Sequence, residues 1–311
     1  MHFDRNQEDL APLSQNGCQA IMSFLENVNE KQVNFKDELQ RKGVPAINSL
    51  DKLFRKRIQY SSPDPLSFQD LDIILEKMAN HIPFENVCII EERSRILTKD
   101  HLVNKMLILN EGGLCYELNS LLYLFLIENG FEASLIQGAV YDHASGAFGR
   151  IGRTHVAVKV CHEKQDYILD GGFGGNIPMK PVPLSGETVS SANGEFRIRA
   201  GETAYGDYRL EMKLKHKDSD WRIGYAFDSK RTIRDVRFLD DVRVTVEEHP
   251  ASPFNKHRLL TKRTDDGSVT LTDTSFTQWK KGNVKKSEIN SEQYQELLNL
   301  WFSQTDKRDP E

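Results

Sequence analysis

The sequence predicts an α+β fold in three parts: helical first, β-rich in the middle and mixed at the end. Three observations carry this. Between Leu50 and Gly130 apolar residues recur mostly at helical spacing. Beyond Gly130 the texture changes to short β-branched runs separated by polar turns. A last amphipathic segment, over about 291–303, places Tyr294, Leu297, Leu298 and Trp301 on one helical side.

Taken in order, residues 1–45 are polar with weak helical periodicity through Ile21, Phe24, Leu25 and Val28, and Gly43 and Pro45 punctuate their end. They read as an N-terminal extension of open role. A helix follows Ser67, a candidate N-cap, with Leu71, Ile74, Leu75 and Met78 on one face. LNSLLYLFLIENG (118–130) is apolar around most of its circumference and stops at Gly130, as a buried, glycine-capped helix does. Strand grammar then runs through ASLIQGAVYDH, RTHVAVKVC and DYILDGG. It continues in the alternating segments YRLEMKLKH, DDVRVTVEEH, HRLLTKRT and GSVTLTD.

A chain of 311 residues is long enough for a sizeable core and about two domains. Net charge is −5, from 41 basic and 46 acidic residues, which argues against nucleic acid or an anionic membrane as a partner. The basic runs KLFRKR (52–57) and KKGNVKK (280–286) read as solvated surface. Cys18, Cys88, Cys115 and Cys161 form no CxxC pair, and no metal site is expected. Cys161, His162 and His143 fail as ligands because adjacent strand residues face opposite ways. MHFDRNQEDL lacks an apolar signal core, and no apolar stretch spans a bilayer, so a reducing cytoplasm is expected.

The chemistry concentrates around NEGGLCYELN (110–119). Two glycines permit a tight turn, and a helix starting at Cys115 aims unpaired N–H groups and partial positive charge at the sulfur. Such a setting favours thiolate and can hold an oxyanion. A buried core cysteine would look the same in isolation. In RTHVAVKV, His155, Ala157 and Lys159 share one strand face, and Val156, Val158 and Val160 the other. If 153–161 and 166–172 form a hairpin, residues whose numbers sum to about 325–327 oppose each other. That makes His155 and Asp170 neighbours or close diagonals. Cys115, His155 and Asp170 then form a nucleophile, base and orienter set.

These residues resemble the arylamine N-acetyltransferase family. HIPFENVCII matches its PFEN segment, GGLCYELN its cysteine block, RTHVAV its histidine strand and LDGGFGG its aspartate motif; the resemblance covers about 50–303. It implies a helical bundle (46–130) carrying the cysteine, a β-barrel (131–225) carrying histidine and aspartate, and an α/β lid (226–311). The Cys-His-Asp arrangement is of papain and transglutaminase type. It further implies acetyl-CoA as donor, an aromatic amine or hydrazine as acceptor, and ping-pong transfer. Gly152 and Gly174 match glycines on the coenzyme A path, Phe84 and Phe173 match acceptor-pocket residues, and Asn119 and Glu85 match supporting positions. One position departs: Glu111 stands where the family has an arginine expected to pair with Glu85. Arg93, Arg95 and Lys105 are substitutes for that cation. A thiol hydrolase or transglutaminase-like amide transferase, and an impaired relative acting as a binding module, are the competing readings.

Overall fold

Helical spacing in the first part buries one stripe per helix, in α1 (Leu50–Arg57) and α2 (Asp70–His81). Phe54, Leu71, Ile74, Leu75 and Met78 lie in one core. The chain is seen as a computed structural model that describes residues 49–62 and 65–302; the expectations for 1–45 lie outside these. Ser67 does not cap α2. Its N–H and hydroxyl both donate to Asp70 Oδ2 (2.8 and 2.6 Å), and the helix starts three residues later. The KLFRKR run is not solvated surface either, since Arg55 and Arg57 are buried. Arg57 donates to the carbonyls of His81, Met106 and Asn110.

A two-residue strand, β1 (Phe84–Glu85), leads into the short helix α3 (Val87–Ile90). Helix α4 (Lys99–Val103) runs directly into a π turn (Asn104–Ile108). α5 (Cys115–Glu128) is buried nearly all round, and Gly130 follows it at φ +82°, which a Cβ-bearing residue would resist.

The middle of the chain is antiparallel: β2 (Glu132–Asp142), β3 (Ala147–Phe148), β4 (His155–His162), β5 (Gln165–Leu169), β6 (Val182–Pro183), β7 (Val189–Ser191), β8 (Gly194–Thr203), β9 (Gly206–Leu214) and β10 (Arg222–Ile233). The sheet order is β6-β5-β4-β2-β10-β9-β8-β7, with β3 attached to β2. β6 comes back beside β8, so the sheet curls into a nearly closed barrel. β4 separates two cores. Val156, Val158 and Val160 pack with α5, while Ala157 joins Ile168, Phe196, Leu210 and Phe227 inside the barrel. The sheet runs through β10 to Ile233, past residue 225.

DDVRVTVEEH is not a strand. It forms α6 (Asp240–Glu248), with Val242 and Val246 buried one turn apart. Arg243 bridges Asp240 and Glu247 at 2.7 and 2.6 Å, and Asp240 and Asp241 suit the helix N-terminus. Those local pairs and the shared core outweigh the β preference of valine. A second sheet, β1-β11-β12-β13-β14, follows from β11 (Leu259–Thr264), β12 (Gly267–Thr272), β13 (Ser275–Lys280) and β14 (Asn283–Glu288). α7 (Ser291–Trp301) begins at a capping box in which Asn290 and Gln293 exchange backbone-to-side-chain bonds of 2.9 and 3.0 Å.

Candidate active site

Cys115 is the first residue of α5, and the glycines before it serve close packing rather than unusual dihedrals. A Cβ on Gly112 would stand 2.1 Å from the Pro83 carbonyl oxygen, and one on Gly113 2.8 Å from Glu117 Oε2. The turn is therefore tight because β1 and the Glu117 side chain press against it. On the other side, Gly172 lets the end of β5 reach the helix start. A Cβ there would lie 2.7 Å from Cys115 Cα.

The β4–β5 pairing has a register sum of 327, from Val158 opposite Leu169 to His162 opposite Gln165. Asp170 is one residue beyond β5 and diagonal to His155. His155 Nε2 lies 2.7 Å from Asp170 Oδ2, with both side chains essentially without solvent. The imidazole lies within electrostatic reach of Cys115, and the Cys115 sulfur donates to the Thr154 carbonyl at 3.5 Å. Asn119, one turn into α5, donates to Asp170 Oδ1 (2.9 Å) and to the Val156 carbonyl (2.7 Å). Its own oxygen accepts the Gly171 N–H at 2.9 Å. The Gly172 N–H adds a further bond to Asp170 Oδ1 (2.9 Å). Both carboxylate oxygens are thus fixed.

Burial alone would depress the imidazole, but the Asp170 carboxylate and the Cys115 contact raise the His155 pKa to about 10. Burial would raise the Asp170 carboxyl, yet His155, Asn119 and Gly172 hold it below the usual range. Tyr225 packs on His155 with ring centroids 4.4 Å apart, and Gly138 leaves room for its ring. The Tyr225 hydroxyl faces Asp170 without hydrogen-bond geometry. Burial pushes the Cys88 thiol up to about 12, which leaves it a poor nucleophile.

Cys115 and His155 open onto a cavity of about 720 Å³. Phe84, Phe173, Val246 and Phe254 form apolar walls, and Gly152 and Gly174 also line it. Phe173 lies 4.8 Å from the His155 ring and Phe84 is 5.7 Å from Phe254. Gly152 sits at φ +70°, and its N–H is already donated to the Gly149 carbonyl (3.2 Å). Sequence reasoning missed Val246 and Phe254. Val246 lay in the segment read as a strand. Phe254 is placed by Asn86 of the PFEN segment, whose amide donates to the Phe254 and His257 carbonyls at 2.8 Å each.

Glu111 turns away from Glu85. Its carboxylate takes Arg93 Nη1 at 3.2 Å and the Cys88 thiol at 3.3 Å. Lys105 occupies the interior instead, 2.6 Å from Glu117 Oε1 and 3.8 Å from Glu85 Oε1. No such contact is seen for Arg95 among the described residues.

The sequence profile of the N-acetyltransferase family matches residues 67–305. The chain belongs to the arylamine N-acetyltransferase family. It is 40% identical to the uncharacterized acetyltransferase YvcN of Bacillus subtilis, over 77% of this chain and 92% of that one. Arylamine N-acetyltransferase C of Bacillus anthracis superposes with a TM-score of 0.78 at 38% identity, covering 84% of this chain and all of that one. An arylamine N-acetyltransferase from Bacillus cereus, with a Cys-His-Glu catalytic triad, gives 0.77 at 38% identity, covering 81% of this chain and 97% of that one. In this chain the carboxylate hydrogen-bonded to His155 is an aspartate, Asp170.

Proposed function

We propose that this protein transfers an acetyl group from acetyl-CoA to an aromatic amine or hydrazine through an acetyl-Cys115 intermediate. The observation that carries the reading is the buried hydrogen-bonded pair His155–Asp170 placed beside Cys115, where Cys115 and His155 line an apolar cavity. His155 takes the thiol proton and Asp170 stabilises the resulting imidazolium. The sulfur adds to the thioester carbonyl. The N–H groups of Cys115 and Tyr116, at the start of α5, face no earlier helical carbonyl and suit the oxyanion. Collapse expels the coenzyme thiolate, which recovers the proton from His155.

In the second half the amine nitrogen attacks the acetyl carbon and His155 takes its proton. The C–S bond breaks and Cys115 is regenerated. Phe84 and Phe173 would hold the acceptor ring. Gly152 and Gly174 would give the donor's chain room, and the Gly152 amide is already donated to the Gly149 carbonyl. Phe254 and Val246 would limit the access of water to the thioester.

The inward Lys105 and outward Glu111 remove the reason for reading the protein as an impaired binding module. A cytoplasmic setting is supported by the free thiols Cys88, Cys115 and Cys161. Among the described residues no helix is long and apolar enough to cross a membrane.

The test is release of free coenzyme A from acetyl-CoA, followed with and without aniline or a hydrazide. Release should depend on the acceptor and vanish in Cys115→Ala. Release that ignores the acceptor, or survives that substitution, contradicts the reading.

A further inference from the structure

Two buried carboxylates hold the segment immediately before Cys115. Glu117 Oε2 accepts the Leu114 N–H at 3.0 Å. Glu85 sits on β1, whose backbone grips the preceding residue: the Glu85 N–H donates to the Gly113 carbonyl at 3.0 Å. The Glu85 side chain also accepts the Val87 N–H. The Lys105 ammonium lies between the two carboxylates, and all three side chains are at most 8% exposed.

Without a cation, two carboxylates at this depth would repel, and one would have to bind a proton or move. Lys105 reaches them from the π turn. The wide i to i+5 bond from the Leu109 N–H to the Asn104 carbonyl (2.8 Å) marks that turn, and Lys105, Met106 and Leu107 all point inward from it. The Lys105 carbonyl also accepts the Glu111 N–H at 3.0 Å, so the same residue ties down the start of the cysteine loop.

We infer that Lys105 is a positioning residue for the acetyl transfer: bridging Glu85 and Glu117, it fixes Gly113 and Leu114 and so sets the Cys115 sulfur against His155. It acts through these two glutamates and touches neither substrate. The inference rests on the proposed reaction only for its purpose, because the placement of the sulfur has its own readout.

The experiment measures alkylation of Cys115 by iodoacetamide between pH 5 and 9, alongside acceptor-dependent coenzyme A release. It compares the wild type with Lys105→Met, Lys105→Arg and the double variant Lys105→Met/Glu111→Arg. In Lys105→Met, alkylation at pH 7 and kcat should fall about 10- to 100-fold, as for a displacement of the sulfur on the order of 1 Å. KM for acetyl-CoA should stay within about twofold of wild type, since a positioning change acts on kcat. The ratio of mutant to wild-type alkylation should rise as pH falls, because Glu85, whose pKa burial raises, then takes up a proton and relieves the uncompensated charge. The other titratable groups that interact with Lys105 are Cys88 on α3 and His101 on α4.

Lys105→Arg should keep most of the reactivity. In the double variant an arginine at 111, turned from the present Arg93 and Cys88 contacts toward Glu85, should restore at least half of the lost rate, and Arg93 keeps Glu91 as a partner. Wild-type alkylation in Lys105→Met, a loss of thermal stability alone, or no recovery in the double variant would each overturn the inference. Should Lys105→Met fail to fold, the double variant decides: folded and reactive supports the role, anything else refutes it. Absence of acetyl transfer by the wild type would sink the proposed reaction and leave the alkylation comparison intact.

Discussion

Asp170 spends both oxygens on fixed donors: His155 on one, Asn119 and the Gly172 N–H on the other. An amide at this position must present its NH₂ to one of those donors, so either His155 loses its orientation or the Asn119 side chain loses a partner. Asp170→Asn should therefore lower kcat by roughly 10³- to 10⁴-fold, read by acceptor-dependent coenzyme A release. The same variant carries a pH signature. The folded-state His155 pKa is raised, from 6.5 to about 10, so the pair's contribution to stability is full below 6.5. As pH climbs through that window the unfolded chain sheds its proton first, and stability falls until the folded histidine titrates. Thermal melts from pH 6.5 to 10 should show this decline in the wild type. In Asp170→Asn it should be flattened, because burial alone then acts on the imidazole.

At the scale of elements, the site is a contact between the start of α5 and the end of β5, and glycine makes it possible. A methyl group on Gly172 would meet Cys115 Cα at 2.7 Å and the Asn119 amide nitrogen at 2.8 Å, which is itself held by the Val156 carbonyl and Asp170. Gly172→Ala should cost about 100-fold in kcat by displacing the sulfur from His155, with the alkylation rate of Cys115 as the independent check. The hairpin that carries His155 was legible in the residues. Alternation fixed which side chains share a face, and turn length bounded the register to within a diagonal. Two neighbours were not. DDVRVTVEEH alternates as a strand does, and its helicity depends on Arg243 pairs and a core shared with α5 that no local pattern displays. KLFRKR looks like solvated charge, because the carbonyls that Arg57 serves lie 24 to 53 residues further on.

Across the whole molecule, the cavity joins parts remote in sequence. Phe84 and Cys115 come from the helical part, His155 and Phe173 from the barrel, and Val246 and Phe254 from the segments beyond it. Asn86 holds that last contribution in place through the Phe254 and His257 carbonyls, which gives the PFEN segment a wall, an interior carboxylate and a clamp in three consecutive residues. The missing arginine at 111 was visible in the sequence, and Lys105 was among its possible substitutes. Choosing Lys105 required the π turn, which has no clear sequence pattern. What unites these parts is the claim that Cys115 carries the acetyl group between two half-reactions. Intact-mass measurement of the enzyme mixed with acetyl-CoA in the absence of acceptor tests it most directly. One acetyl group should appear on Cys115 and disappear when aniline is added, as fast as steady-state turnover requires. An enzyme that turns over with aniline yet never acquires the acetyl group, or acquires it equally in Cys115→Ala, would contradict the account.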